Sequence, residues 1–419
     1  MILLSSDTET KPTQAMRQAI ASAEVGDEQK GEDPTVNQLQ ERVADLLGKE
    51  DALFFACGTI CNFVAIKTHT HPADVVLAEQ MAHIIRAESG GAAMSSGVLM
   101  EPIASERGIF TVDELDRALE RVATAPYLYR AIPRLLCVEQ THNFGGGSVW
   151  QLDELREVCE LSRQKGLVNH MDGARLLNAV VASQTTAKDF AACVDSVWID
   201  FTKGLGAPIG AVLAGTKEFI SEARRYKHIF GGAMRQAGIV AAGCLYSLDH
   251  HVERLQEDHD NATYLARRLS EIEGITVKDT KPETNIVFFN VSRLGLDKAM
   301  FLNLLQERGV KMGGVGNSIR AVTHLDVSRT DIDFAVDAVS KVAKSLVCSK
   351  DVESAVLSRE DSEIALPDVV LNYPFCPNCG HKNQPNHNFC IRCGTQLSKP
   401  TNSVLRVARS NGTENQNEK

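Results

Sequence analysis

The sequence predicts an α/β protein with a mostly parallel sheet in a large domain, followed by a small α+β domain and a cysteine-rich end. Up to about residue 215, apolar runs of strand length alternate with helical patterns, as in strand–helix–strand units. Several runs lack polar alternation, which is typical of strands buried on both faces of a sheet. The predicted strands are residues 52–57, 74–79, 134–139, 166–171, 196–201 and 210–215.

Helical patterns fill the spaces between these strands and continue beyond them. In residues 35–47 the apolar side chains fall on one stripe, and Gly48 follows as a stop signal. After residue 215, the pattern changes to a long helix and then to alternating strands and helices, which indicates a second compact unit. Helices are predicted at 236–272, 297–308 and 330–346, and strands at 285–291 and 318–324.

These patterns divide the 419 residues into five segments. The stretch after the last helix is acidic and lacks periodicity, which favours a linker, and the polar end of the chain favours disorder. The predicted segments are a large domain that includes the N-terminal segment (1–250), a small α+β domain (251–346), a linker (347–373), a zinc ribbon (374–396) and a disordered tail (397–419).

Charge and composition exclude several classes of partner and location. The net charge is −10, so the chain has no overall basic field and nucleic acid is not expected as a partner. No apolar run approaches the roughly 18 residues of a membrane helix, and the N-terminal apolar run is too short for a signal peptide. Most of the eleven cysteines are scattered among apolar neighbours, as reduced core cysteines are. We therefore expect a cytoplasmic protein.

Residues that carry chemistry follow three of the predicted strands. Lys203 and Asp172 each end such a strand, and Gly58 and Thr59 stand between a strand and a helical pattern. Ligands of open α/β sheets bind beyond the carboxyl ends of the strands. Pyridoxal phosphate needs an amine, a carboxylate beside its pyridine nitrogen, and helix N–H groups for its phosphate. Each residue alone has an ordinary explanation as a surface charge, a helix cap or a turn, but their joint order favours this cofactor.

The chain resembles the L-threonine aldolases, in the β-eliminating-lyase branch of the fold-type-I pyridoxal-phosphate enzymes. The matching stretches run in family order over about residues 1–345, and they include "SSDTETKPT" (5–13), "GEDPTVNQLQ" (31–40), "AHIIRAESGGAA" (82–93), "MDGARLLNA" (171–179), "TKGLGAPIGA" (202–211) and "GGAMRQAG" (231–238). The resemblance implies the transferase-like fold of these enzymes and a homodimer or homotetramer.

The resemblance also assigns the cofactor side of a site. It implies that Lys203 is the Schiff-base lysine and that Asp172 pairs with the pyridinium nitrogen. Gly58 and Thr59 are implied to hold the phosphate, and His83 to stack on the cofactor ring.

On the substrate side, the resemblance implies that Ser6 and Arg320 hold the carboxylate of an amino acid, with help from Arg175, which also touches the cofactor. Arginine suits this task because its planar fork matches a carboxylate. Arg235 is implied to reach the phosphate in the neighbouring subunit.

The implied reaction is the cleavage of a β-hydroxy-α-amino acid, such as threonine or allo-threonine, to glycine and an aldehyde. A base must then remove the proton of the β-hydroxyl group. His83 is the first candidate, directly or through water, and His142 is the second, because histidine exchanges protons near neutral pH. For His142 a plain loop position is equally open.

Three positions depart from the family pattern on the expected substrate side. Lys30 stands where a tyrosine is usual, Tyr129 where some members have a histidine, and Ile84 where an asparagine is common. Lys30 could bind an acidic group of a substrate, replace a base, or lie in solvent or a salt bridge. These departures leave β-elimination and a racemase-like activity open as alternatives.

The cysteine-rich end has two Cys-x-x-Cys pairs separated by ten residues. Four thiolates at this spacing suit a tetrahedral zinc ion, and the segment resembles the zinc ribbons. Metal binding would supply the folding free energy of so small a unit. Basic and aromatic residues are few, so a protein partner is favoured over nucleic acid. The predicted ligands are Cys376, Cys379, Cys390 and Cys393.

Two other classes of protein are alternatives to a lyase. One is an inactive scaffold that acts as an interaction protein through its ribbon, but the chain retains Lys203, Asp172, Arg175 and Arg320. The other is a nucleotide-binding α/β protein, but no glycine cluster matches a dinucleotide or phosphate-loop motif.

Overall fold

The computed structural model describes residues 1–357, with side chains as far as residue 345. The predicted zinc ribbon, its four cysteines, the tail and most of the linker lie outside the described residues. No described helix is both long enough and apolar enough to cross a membrane.

The described part of the chain alternates between strands and helices over most of its length. The strands are β1 (Ile2–Leu3), β2 (Asp51–Phe55), β3 (Asp74–Glu79), β4 (Leu99–Ile103), β5 (Ile132–Glu139), β6 (Val168–Gly173), β7 (Ser196–Asp200), β8 (Ala211–Gly215), β9 (Thr276–Val277), β10 (Ile286–Asn290), β11 (Val310–Lys311), β12 (Gly313–Val315) and β13 (Ser318–Val322).

Helices cover both faces of the larger sheet and one face of the smaller one. They are α1 (Gln14–Ala21), α2 (Pro34–Leu47), α3 (Gly58–His69), α4 (His83–Arg86), α5 (Gly91–Ser96), α6 (Val112–Val122), α7 (Leu152–Gln164), α8 (Leu176–Ser183), α9 (Ala187–Ala192), α10 (Lys217–Ile229), α11 (Gly238–His250), α12 (Leu255–Ser270), α13 (Lys298–Glu307) and α14 (Arg329–Leu357). Single 3₁₀ turns occupy Asp7–Glu9, Glu28–Lys30, Tyr127–Tyr129 and Ser292–Leu294.

Seven strands form the main sheet, in the order β2-β8-β7-β6-β5-β3-β4. Only β8 runs against its neighbours, and β3 to β7 pair in parallel. The predicted mostly parallel α/β fold is therefore confirmed, with all six predicted strands in this sheet. The sequence missed β4, which carries Glu101 and Pro102; a proline lacks the N–H that a central strand needs, but it fits an edge strand.

Two predicted helix boundaries differ from the structure. The single helix expected over 236–272 is two helices, α11 and α12, because the chain turns a corner at residues 251–254. At this corner the ring of His251 contacts the carbonyl oxygen of Leu205 at 2.7 Å, which ties the corner to the loop after Lys203. The helix expected to end near residue 346 continues to Leu357.

The two largest apolar cores lie within residues 1–354, which form one compact unit. The first core packs against the main sheet, and the second packs α12, α13 and α14 against a small four-stranded sheet with the order β12-β13-β10-β9. The N-terminal strand β1 pairs in parallel with β11, and Leu4 lies in the second core. The backbone N–H of Val322 donates to Leu4 and the side chain of Arg320 donates to the carbonyl oxygen of Ser5, so the first residues of the chain lie beside β13. The domain boundary near residue 250 stays a prediction.

Candidate active site

A cavity of about 290 Å³ lies at the carboxyl ends of the parallel strands. Eight residues predicted from the sequence line it: Ser6, Gly58, Thr59, His83, Asp172, Arg175, Lys203 and Arg320. Nine further residues complete its wall: Thr8, Cys57, Glu88, Glu139, Asn143, Ala174, Trp198, Asp200 and Thr202.

Lys203 enters the cavity from the turn that follows β7. Its Nζ lies 2.9 Å from Oδ2 of Asp200, the last residue of that strand. Asp200 is itself held, because the backbone N–H and the hydroxyl of Thr202 both donate to its Oδ1. The backbone carbonyl of Lys203 accepts the hydroxyl of Thr10 at 2.9 Å. The lysine is therefore fixed at both its backbone and its amine.

Asp172 lies on β6, the central strand of the seven-stranded sheet, and is almost completely buried. Its Oδ2 accepts the amide of Asn62 at 2.8 Å, and its Oδ1 accepts the N–H of Ala174. Burial raises the pKa of Asp172 to about 6, and the neighbouring carboxylate of Glu139 adds to the rise. A cation placed against this carboxylate would oppose both effects, so the position fits a pyridinium nitrogen.

The first turn of α3 forms another wall of the cavity. The helix is 12 residues long, and Cys57, which precedes it, gives no side-chain hydrogen bond to its first N–H groups. A Cβ atom on Gly58 would lie 2.1 Å from the ring of Trp198, so only glycine fits there. An uncapped helix start that lines a cavity suits a phosphate group.

His83 is held by two buried carboxylates. Its Nδ1 lies 2.8 Å from Oε1 of Glu88, and its backbone N–H donates to Glu139 at 2.7 Å. The hydrogen bond to Glu88 raises the pKa of His83 above its ordinary value. The imidazole therefore has one nitrogen fixed by an acid, which is the usual way in which a catalytic histidine is oriented.

Arg175 lines the cavity, but its fork is already occupied. Its Nε and Nη2 each lie 2.7 Å from a carboxylate oxygen of Asp7, which is completely buried. Burial alone would raise the pKa of Asp7, but the Arg175 guanidinium outweighs it and holds that pKa well below its ordinary range. The sequence predicted an arginine turned to a ligand and did not detect this pair.

Arg320 is a half-buried cation, and its described hydrogen bonds include no anionic partner. Its Nη1 donates to the side-chain oxygen of Asn143 at 2.8 Å and its Nη2 to the carbonyl oxygen of Ser5 at 3.0 Å. Among the described residues, Nε is buried without any partner. Burial and the nearby Arg175 cation lower the pKa of Arg320. An anion in the cavity would relieve both effects.

Three predicted site residues do not line this cavity. His142 is buried with Nε2 3.0 Å from Glu79, and its Nδ1 accepts the N–H of Gly145, so it braces a loop. The side chains of Lys30 and Arg235 are 65% and 60% exposed, and both contact Asp27.

The other two departures from the family pattern also lie away from the cavity. Tyr129 is exposed at the surface. Ile84 is buried in an apolar cluster that includes Ala78, Val98 and Leu135. Within one chain, neither of them lines the cavity.

Comparisons with known proteins agree with this geometry. A family model described as "Beta-eliminating lyase" matches residues 4–292, and a zinc-ribbon model matches residues 375–397. The low-specificity L-threonine aldolase of Escherichia coli is 38% identical over 333 residues, which are 79% of this chain and 96% of that protein. An alanine racemase of Cochliobolus carbonum is 28% identical and covers 81% of this chain and 87% of its own.

The solved structures include a threonine aldolase from Leishmania major with a TM-score of 0.70 and 20% identity, covering 82% of this chain and 100% of that one. This similarity confirms the predicted fold. The sequence relatives and the lyase family model confirm the resemblance to the threonine aldolases, and the zinc-ribbon model confirms the resemblance of the C-terminal segment.

Proposed function

Because the chain belongs to the β-eliminating lyase family, we propose that it is a pyridoxal-phosphate-dependent lyase that cleaves a β-hydroxy-α-amino acid of the threonine or allo-threonine type to glycine and an aldehyde. The observation that carries this proposal is one cavity that combines an amine on Lys203, a buried acid on Asp172 and a half-buried cation on Arg320 whose Nε has no partner.

The residues present fit the cofactor at each of its functional groups. The start of α3, with Gly58 and Thr59, would hold the phosphate, and Asp172 would pair with the ring nitrogen. Lys203 supplies the amine for covalent attachment, and His83 would lie against the ring. When bound, this group supplies an electron sink for bond cleavage at the α-carbon of an amino acid.

Arg320 and Ser6 would hold the carboxylate of the substrate. Ser6 Oγ accepts hydrogen bonds from the N–H and the hydroxyl of Thr8, so its own hydroxyl proton is left for a ligand oxygen. A carboxylate fixed in this way orients the bonds at the α-carbon and so selects the one that breaks. Arg175 would contribute to carboxylate binding through its positive charge, because its Nε and Nη2 are already paired with Asp7.

His83 would act as the base for the β-hydroxyl group. Because its Nδ1 faces an acid, the neutral ring carries its proton there and leaves the lone pair on Nε2. Glu88 also stabilises the imidazolium that forms when Nε2 takes a proton. His142, turned to Glu79 and a loop N–H, is the weaker candidate.

Assembly, metal content and location are further parts of the proposal. We infer a homodimer or homotetramer in which Arg235, and Lys30 beside it, face the cavity of a neighbouring subunit. The zinc-ribbon match supports structural zinc on the four cysteines of residues 376–393. We infer a protein as the partner of this segment. A cytoplasmic location stays a prediction from the sequence.

The function is tested with purified protein supplied with pyridoxal phosphate. It should release glycine and an aldehyde from threonine or allo-threonine, and Lys203→Ala should lose this activity together with the visible absorption of the bound cofactor. A protein that binds the cofactor but cleaves neither substrate, nor an aryl-serine, is not an aldolase.

A racemase-like activity is the second candidate, since a racemase is among the relatives. It would show as exchange of the α-hydrogen of alanine in D₂O, accompanied by loss of optical rotation, without release of an aldehyde. Formation of pyruvate or ammonia would instead indicate β-elimination.

A further inference from the structure

A completely buried asparagine lies between the two acids of the active site. Asn62 is on α3, one turn after Gly58, and does not line the cavity. Its Nδ2 is 2.8 Å from Oδ2 of Asp172 and 2.8 Å from Oε1 of Glu88. Its Oδ1 is 2.7 Å from Nε1 of Trp198. One small side chain therefore contacts three residues of the cavity wall.

The chemistry of these partners fixes the orientation of the amide. An indole Nε1 can only donate, so the atom of Asn62 that faces Trp198 must be the oxygen. Both N–H groups of Asn62 then point to carboxylates, one to Asp172 and one to Glu88. This assignment follows from the partners and does not depend on distinguishing nitrogen from oxygen by position.

A second chain of hydrogen bonds supports the same orientation from behind. Asn62 Oδ1 also lies 3.3 Å from Nε2 of His170, so that nitrogen carries the proton. His170 Nδ1 is then the acceptor for Ser196 Oγ at 2.8 Å, and Ser196 lies 2.7 Å from Nε2 of His69. Burial lowers the pKa of His170 to about 3 and that of His69 to about 4, so both rings are neutral donors and acceptors.

The two acids need such a donor because they have different tasks. Buried carboxylates that share a site tend to share one proton, which removes one of the charges. Asp172 must be an anion to pair with a ring nitrogen, and Glu88 must be an anion to accept the Nδ1 proton of His83. Asn62 donates one N–H to each acid and has no acceptor facing them, so it does not allow the two carboxyl groups to share a proton.

We propose that Asn62 is a positioning residue that keeps Asp172 and Glu88 as two separate anions and so sets both the cofactor affinity and the orientation of His83. Through Trp198, whose ring lies against Gly58, the same side chain reaches the phosphate end of the site. This inference rests on the pyridoxal-phosphate assignment made above.

The test uses the full chain with two substitutions of similar size, Asn62→Leu and Asn62→Asp. The first removes every hydrogen bond of the amide; the second keeps an acceptor for Trp198 and brings a third carboxyl group to the two acids. The matched control is Asn169→Leu, because Asn169 is equally buried on β6, donates to the carbonyl of Cys159 and lies outside the cavity.

The dissociation constant of pyridoxal phosphate is measured from pH 5.5 to 9 by the visible absorption of the reconstituted protein. Both Asn62 variants should bind at least roughly tenfold more weakly at pH 7, the order expected for losing one hydrogen bond to a charged group. The acidic limb of the binding curve should move up by about one pH unit, because an acid without its donor keeps a proton to higher pH. Asn169→Leu should leave the limb where it is.

The proposal is overturned if a folded Asn62→Leu or Asn62→Asp protein has the same acidic limb and the same affinity for pyridoxal phosphate as the wild type. Should neither variant fold, Asn62→Ser, which retains one hydroxyl donor, is expected to give a smaller shift in the same direction, and an unshifted limb overturns the proposal equally. The outcome is separate from the proposed reaction: wild-type protein that binds the cofactor but cleaves no hydroxy amino acid refutes only the substrate.

Discussion

Replacing Asp7 by alanine tests the finding that Arg175 belongs to a buried ion pair. The substitution leaves the guanidinium of Arg175 buried without its bidentate partner and removes the acceptor for the amide of Asn285. Breaking a buried pair by removing one partner costs about 3–5 kcal/mol. We therefore expect the free energy of unfolding to fall by about that amount at pH 7.

Urea unfolding of the cofactor-free protein, followed by circular dichroism, measures this change without interference from the bound ligand. Asp153→Ala is the control, because Asp153 is 87% exposed and also pairs with an arginine, Arg156, at 2.7 Å. A surface pair of this kind contributes about 0–1 kcal/mol. Each variant thus removes an ion pair between an aspartate and an arginine, buried for Asp7 and exposed for Asp153.

The effect should also depend on pH in a defined direction. Pairing holds the pKa of Asp7 below its ordinary value of 3.8, so its contribution is complete above that pH and is lost as the pH falls below it. The difference in the free energy of unfolding between the wild type and Asp7→Ala should therefore become smaller below about pH 4. If Asp7→Ala costs no more than Asp153→Ala at pH 7, Arg175 is not held by this pair, and the original assignment of Arg175 to a substrate would be preferred.

Four other outcomes can be measured. Gly58→Ala should weaken cofactor binding at least roughly tenfold while the circular dichroism is unchanged, because the added Cβ meets the Trp198 ring at 2.1 Å; normal affinity would contradict the close approach. Glu88→Gln should lower the pKa of His83, so the acidic limb of kcat/KM moves to lower pH and kcat falls; a limb that stays in place would remove His83 as the base. Arg320→Lys should raise KM at least about tenfold, because a lysine cannot replace a fork, and an unchanged KM would exclude a carboxylate at this position. A chelator should release about one zinc per chain without loss of the cofactor absorption; simultaneous loss of the cofactor would contradict a separate ribbon.

The ends of the parallel strands were predictable from the sequence alone. Lys203, Asp172 and Gly58 each follow an apolar run, and strands that run the same way bring their carboxyl ends to one edge. This inference about the carboxyl ends needs only the direction of the strands. It therefore predicted that these three residues would meet at one cavity, as they do in the structure.

The partners of these residues were not predictable, because pairing between distant parts of the chain leaves no local pattern. Asp7 and Arg175 are 168 positions apart, and Asn62 is 110 positions from Asp172. A buried acid such as Glu88, in the bend between α4 and α5, looks in the sequence like any surface glutamate. Only Asp200, three residues before Lys203 at the end of the same strand, had a position from which its contact could have been inferred.

The short first strand ties the assembly of the site to the order in which the chain is made. The N–H of Ile2 bonds to Gly309, Leu4 accepts from Val322, and Ser5 accepts from Arg320. On the ribosome the first residues emerge long before these partners do, so they have nothing to pair with until some three hundred further residues have been translated. A nascent chain that already contains Lys203 and Asp172 therefore still lacks the wall that faces them, and a competent binding pocket is a late event in biosynthesis.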